Sequence, residues 1–279
     1  MTIKELLNKG IDILNCNKIE DANLGAKILL SYLLKVDRAY LLIHDNLEVN
    51  IEIEKEYLQM IDRLANDEPL QYITNNQEFM KLDFYVDENV LIPRADTEIL
   101  VEEVLKLNNK NSKILDLCTG SGAIGISIAV YNESAQIYLS DVSDKALKVA
   151  EKNIIKQQVE DRVQLIHSNM FENINEKEFD IIVSNPPYIE TETINKLDKN
   201  VLNEPHLALD GGEDGVDFYR IIIKQAKNYL KKGGYLALEI GYNQRKSVCD
   251  LLKQEEVYEE ICCKKDLGGN DRVVIAKRR

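Results

Sequence analysis

The chain has 279 residues, 44% of them apolar, and carries 48 Asp and Glu against 35 Lys and Arg, a net charge of −13. That length fits one large domain or two unequal ones, and the acid excess disfavours a nucleic-acid partner, which needs a basic face to neutralise phosphates. No window reaches the ~18 apolar residues of a membrane span, and "MTIKELLNKG" has no apolar run before a small-residue cleavage site, so the expected location is the cytoplasm.

In chain order, "IKELLNKGIDIL" and "LGAKILLSYLL" place apolar residues at i, i+3, i+4 and i+7, and "RAYLLIHD" and "IEKEYLQMIDRLAND" continue the pattern. Residues 1–74 are therefore expected to form a small helical bundle. The charge is uneven: residues 1–90 hold 9 Lys and Arg against 17 Asp and Glu, whereas residues 91–279 hold 26 against 31. The acidic bundle is expected to recognise a basic protein partner. Residues 75–92, with alternating "KLDFYVD" between the turn signals "TNNQ" and "DEN", read as a β-hairpin linker. Pro93 then precedes the helix "RADTEILVEEVLKL".

From Lys113 onward strands and helices alternate. The strands are "KILDL", "QIYLSD", "VQLIHS", "FDIIVSN" and "GGYLALEIG", and helices begin near Ala123, Ser143, Asp217 and Gln244. Continuous apolar runs between helices predict an α/β domain over residues 93–279, with a parallel sheet covered on both faces. "YEEICCKKD" and "RVVIAKR" read as a closing antiparallel pair. The five cysteines (Cys16, Cys118, Cys249, Cys262, Cys263) show no CxxC spacing and the three histidines (His44, His167, His206) no ligand spacing. Neither a metal site nor a disulfide framework is expected.

The first strand runs into its helix through "ILDLCTGSGAIGISIAV", where Gly120 and Gly122 permit a tight turn and close backbone approach. Asp116 closes that strand and Asp141 closes the next, where a carboxylate can bind the two hydroxyls of a ribose. Gly120 to Gly125 fits the letters of a dinucleotide fingerprint, but Asp116 and the "CT" after it suit S-adenosylmethionine better, which has no pyrophosphate to cradle.

The fourth strand ends in "SNPPYIE", Ser184 to Glu190. Pro186 and Pro187 fix φ, lack N–H donors and push Asn185 and Pro186 into extended backbone. The result is a stiff loop rich in acceptors. The Asn185 side-chain oxygen and the Pro186 carbonyl can accept both hydrogens of one planar –NH₂ group, with Tyr188 as a flat face beside it. Such acceptors orient a delocalised nitrogen and stabilise positive charge developing on it during methyl transfer.

At these residues the sequence resembles the class I S-adenosylmethionine-dependent methyltransferases with a (D/N/S)PP(Y/F) motif. Within them it is similar to the bacterial release-factor glutamine N5-methyltransferases. The stretches that carry the resemblance are "EPLQYI", "FYVDENVLIPRADTEILVE", "DLCTGSGAIGISIA", "SNPPYI", "NEPHLALDGGEDGVDFYR" and "DLGGNDRVVIAKR". The resemblance implies a Rossmann-like domain behind a helical substrate-recognition domain. It also implies methylation of the glutamine in the Gly-Gly-Gln loop of class 1 peptide-chain release factors. Cys118, Thr119, Gly120, Ser121 and Gly122 would lie along the methionine part of S-adenosylmethionine, Asp141 at its ribose and Met170, followed by Phe171, near its adenine. Asn185, Pro186, Pro187 and Tyr188 would receive the glutamine, with Asn185, Pro186 and Tyr188 catalytic and Asn185 also touching the cofactor. Two positions depart from the family pattern: Cys118 stands for a glycine, and Asn169 for a common aspartate.

Arg94, Thr97 and Glu98 open a helix, so capping and ion pairing explain them about as well as site duty. Glu204 and Pro205 are expected in a flap, and His206 at the surface. Alternatives remain: a glutamine methyltransferase of a large-subunit ribosomal protein, or an adenine N6 or guanine N2 methyltransferase, since a base amine is also a planar –NH₂. The acid excess and the absence of a basic block weigh against the nucleic-acid reading.

Overall fold

Five helices open the chain: α1 (Ile3–Cys16), α2 (Ala22–Leu34), α3 (Arg38–Ile43), α4 (Ile51–Ala65) and α5 (Leu70–Thr74). This is a computed structural model, and it describes residues 1–107 and 110–279. Thr2 and Glu5 form a capping box that starts α1, and Asn50 caps α4. The apolar stripes meet in a core of Leu6, Leu14, Leu29, Leu30, Leu41, Tyr57 and Ile61, all fully buried. Each such aliphatic side chain contributes roughly 2 kcal/mol of burial. Residues 198–203 return to this unit, where Lys199 pairs with Asp67 at 3.1 Å and Asn203 Nδ2 donates to the Asp67 carbonyl at 2.8 Å.

The second unit comprises residues 76–197 and 204–279. It begins with an antiparallel hairpin, β1 (Gln77–Phe79) and β2 (Leu82–Phe84). One 3₁₀ turn at Ala95–Thr97 leads into α6 (Glu98–Leu107). There follow β3 (Lys113–Leu117), α7 (Ala123–Tyr131), β4 (Gln136–Asp141), α8 (Asp144–Lys156), β5 (Val163–His167) and β6 (Phe179–Ser184). After α9 (Thr191–Ile194) and α10 (Lys199–Leu202), which lies in the returning segment, come α11 (Asp217–Ala226), β7 (Leu230–Glu239) and α12 (Arg245–Gln254). The strands β8 (Tyr258–Lys265) and β9 (Asp271–Arg278) close the chain.

The large sheet has seven strands in the order β5-β4-β3-β6-β7-β9-β8. The first five are mutually parallel, and β9 joins β7 and β8 antiparallel. Side chains alternate between its faces. Ile114, Ile137, Ile181, Val183 and Ala237 pack with α6, α7 and α8, whereas Leu115, Leu117, Ile182, Leu236 and Leu238 pack with α11 and α12. This is the expected α/β architecture with its terminal antiparallel pair. The chain leaves β3 toward β4 on one side and returns to β6 on the other, so the strand order reverses between β3 and β6. A crevice opens at the carboxyl ends of strands at such a point, where doubly wound sheets bind ligands. Among the described residues no helix is long and apolar enough to cross a membrane.

Candidate active site

At the end of β3 the chain turns sharply, with left-handed backbone at Cys118 (φ +57°) and Gly120 (φ +55°). A Cβ on Gly120 would meet nothing within 4 Å, so that residue opens onto the crevice. The turn is held from below by Asp116: Thr119 Oγ1 donates at 2.6 Å, and the Gly125 N–H at 3.1 Å, to one carboxylate oxygen. The other oxygen is buried without a partner among the described residues. Burial pushes the Asp116 carboxyl up to about 7, against the pull of Thr119 and Gly125. Asn153 on α8 clips this turn to the segment after the hairpin: its Nδ2 donates to the Ser121 and Tyr85 carbonyls, both at 2.9 Å, while its Oδ1 accepts the Tyr85 N–H at 2.7 Å.

Asp141 ends β4 beside the turn, accepting the Gly120 N–H on one oxygen and the Ser143 N–H on the other, each at 2.9 Å. Burial raises its pKa, and the Ser143, Gly120 and Val142 N–H groups pull it back. A carboxylate has about four lone-pair sites, so each oxygen keeps capacity for a hydroxyl. Cys118 Sγ and Met170 Sδ lie 4.0 Å apart on the crevice wall. Burial and the nearby Asp141 hold the Cys118 thiol neutral by pushing its pKa up.

β6 supplies the opposite wall. Ser184 Oγ donates to the Leu117 carbonyl at 2.7 Å, tying the two strand ends together. Asn185 follows, and its Nδ2 donates to Thr97 Oγ1 at 3.3 Å, which leaves its carbonyl oxygen as the group available to a ligand. Tyr188 turns its hydroxyl to Glu239 Oε1 at 3.3 Å. The loop is fixed from outside as well. Gln244 Nε2 donates to the Tyr188 carbonyl at 2.9 Å, and Ile189 bridges Asp210. A Cβ on Gly211 would fall 2.6 Å from Tyr188 Cα, so only glycine allows this approach. The flap is anchored in turn: Glu204 is buried, accepts the Ile92 N–H at 3.0 Å and pairs with Arg94.

Of the residues singled out from the sequence, Cys118, Gly120, Asp141, Met170, Asn185 and Pro187 line one open pocket, with Asn169 and Pro205 beside them. Thr119, Ser121, Gly122, Pro186 and Tyr188 lie outside its lining. Thr97 meets Asn185, Arg94 meets Glu204, and Glu98 accepts the Met80 N–H at 2.7 Å. His206 is exposed. Glu239, Gln244, Asn153 and Gly211 were not singled out. Only Glu239 carries a sequence signal, a lone acid inside the apolar run "YLALEIG".

Residues 94–213 match the Methyltransferase small domain, and residues 5–74 match the PrmC N-terminal domain. The chain is 44% identical to the release factor glutamine methyltransferase of Clostridium acetobutylicum, with 100% of this chain and 99% of that protein covered. It belongs to the release factor glutamine methyltransferase family. The family member of Clostridium botulinum is 42% identical with both chains covered in full. A solved methyltransferase structure from Pyrococcus furiosus superposes with a TM-score of 0.56 at 18% identity, over 77% of this chain and 96% of that one, a likeness of fold. The second unit is thus the class I methyltransferase fold of this family. Its pocket suits a nucleoside-bearing methyl donor: a carboxylate with spare acceptor sites, a bare glycine face and the apolar Met170 flank converge on it.

Proposed function

We propose that the protein transfers a methyl group from S-adenosylmethionine to the side-chain amide nitrogen of the glutamine in the Gly-Gly-Gln loop of class 1 release factors. The observation that carries this reading is the Asn185 amide, whose donor end is committed to Thr97 and whose acceptor end is left for a ligand at the pocket wall. An amide –NH₂ offers two donors and no acceptor, so it needs a wall that accepts. Asn185 Oδ1 takes one hydrogen and the Pro186 carbonyl the other. Pro186 and Pro187 bring no competing N–H.

Bound S-adenosylmethionine supplies an electrophilic methyl group on a sulfonium. Cys118 to Gly122 would hold its methionine part, Asp141 its ribose hydroxyls and Met170 a face of its adenine. The two acceptors turn the nitrogen lone pair out of amide conjugation toward the pocket and stabilise the positive charge that grows on it. That nitrogen's extra proton is then acidic enough to pass to water without a strong base. Tyr188 stiffens the loop through Glu239 and Gln244.

The helical unit of residues 1–74 is read as the surface that receives the release factor, on the acid excess of residues 1–90. Reversing exposed acids there is expected to lower kcat/KM for an intact release factor while sparing a short Gly-Gly-Gln peptide; equal effects on both would remove that role. The function itself is tested by incubating a purified release factor with the protein and S-adenosylmethionine and locating the methyl group by tandem mass spectrometry.

A further inference from the structure

Glu239 ends β7 one residue past the Ser184–Leu238 pair, which sets it beside Asn185 on the α6 face of the sheet. It is 1% exposed, an acid among apolar residues. The groups around it come from four other segments. Thr97 and Asp96 approach from the turn before α6, Tyr188 from the loop after β6, Arg272 from β9 and Tyr219 from α11. Tyr188 donates to Oε1 at 3.3 Å, and Tyr219 donates to the Glu239 main-chain carbonyl at 2.9 Å. Arg272 is already paired with Asp266 at 2.9 Å and with Asp96 at 3.1 Å, so its charge is shared before it reaches Glu239. Glu239 Oε2 is buried without a hydrogen bond among the described residues.

Thr97 is the link to the site. Its hydroxyl has one proton and accepts Asn185 Nδ2 at 3.3 Å, so that proton points elsewhere, and the Glu239 carboxylate is the acceptor beside it. An amide can present either end to a hydroxyl; which end it presents depends on where the hydroxyl proton goes. We propose that Glu239 is a positioning residue: its carboxylate draws the Thr97 proton toward itself, makes the Thr97 oxygen an acceptor for Asn185 Nδ2, and so keeps the Asn185 carbonyl oxygen available to the incoming amide nitrogen. This rests on the function proposed above. With the carboxylate protonated, Thr97 loses its fixed direction and Asn185 is free to turn its –NH₂ toward the substrate, where two donors oppose each other. Burial pushes the Glu239 carboxyl up to about 7, against Thr97, Arg272 and Tyr188, so the arrangement titrates near neutrality.

The test compares the wild type with Glu239→Gln, Thr97→Val and Thr97→Ser in the full chain. The expected result for wild type is a kcat that rises with pH through about 7, and for Glu239→Gln and Thr97→Val a loss of that inflection with kcat reduced by about 10- to 100-fold. Thr97→Ser keeps the hydroxyl and stays within a few-fold of wild type. Binding of S-adenosylhomocysteine by calorimetry stays unchanged in all three, which separates positioning from misfolding. A second arm needs no turnover: the Asn185 side-chain –NH₂ resonances of ¹⁵N-labelled protein shift with pH in wild type and not in Glu239→Gln. A wild-type protein that leaves the release factor unmethylated counts against the function, and the resonance arm then decides the positioning alone. Side-chain resonances that ignore pH through this range, or a Glu239→Gln variant with the wild-type kcat profile, overturn the proposal.

Discussion

Two buried carboxylates end two strands of the same sheet, and they are wired in opposite ways. Asp116 on β3 takes both its donors from the segment that follows it, Thr119 in the turn three residues on and Gly125 at the start of α7 nine residues on. Glu239 on β7 is met by Thr97, Tyr188 and Arg272, none of them near it in sequence. Burial pushes both carboxyls up to about 7. The local arrangement holds one turn in shape whatever the rest of the site does. The remote one reports on whether three segments have come together, and it stands behind the residue that would meet the substrate.

The largest expected effect is at the remote end. Asn185→Ala removes the acceptor and is expected to lower kcat by about 100- to 1,000-fold, while the affinity for S-adenosylhomocysteine, read by calorimetry, falls far less. A matching loss of affinity would mean that the two ends are not separable.

The local end shows itself in stability. The Asp116 carboxyl is raised from 3.8 to about 7, so the native state binds its proton more tightly than the unfolded chain. The stability this contributes is fully present below pH ~4 and is lost as pH rises through ~7, a total of roughly a few kcal/mol. In urea titrations between those limits, Asp116→Asn is expected to flatten the wild-type decline. An unchanged slope would show that the carboxyl is not buried as described.

The smallest effect concerns Cys118, which sits at φ +57°, where glycine is favoured. Left-handed backbone costs a non-glycine residue roughly 1–2 kcal/mol, partly offset by the greater freedom of glycine in the unfolded chain. Cys118→Gly is therefore expected to raise stability by about 0.5 kcal/mol, read as a higher denaturation midpoint. A drop would assign the side chain a packing role beside Met170 that outweighs the strain.

The same contrast explains what could be read from the chain. The strands from "KILDL" to "RVVIAKR", and the helices between them, follow from apolar runs and periodicity, and the parallel pairing follows from their alternation. The turn after β3 was legible because its pattern is local: glycines, Asp116 and the next strand's Asp141 lie within one βαβ unit. The NPPY loop was legible as stiff backbone at a strand end because two prolines dictate their own φ. What the sequence hid lies between distant segments. Thr97 could be read from the sequence as a capping or a site residue, and only the fold brings it to Asn185. Gln244, just before α12, and Asn153, on α8, are amides whose partners are backbone carbonyls 56 and 68 residues away. Gly211 needs the closeness of Tyr188 to be understood, and no local pattern announces that.

On the function proposed above, Asn185 and its loop present a glutamine amide for methylation. The most direct test of this is tandem mass spectrometry of the Gly-Gly-Gln peptide from a release factor incubated with S-adenosylmethionine and either wild-type or Asn185→Ala protein. The expected result is a methyl group on the glutamine side chain with wild type and almost none with the variant. Methyl on another residue, or equal methylation by both proteins, would contradict it.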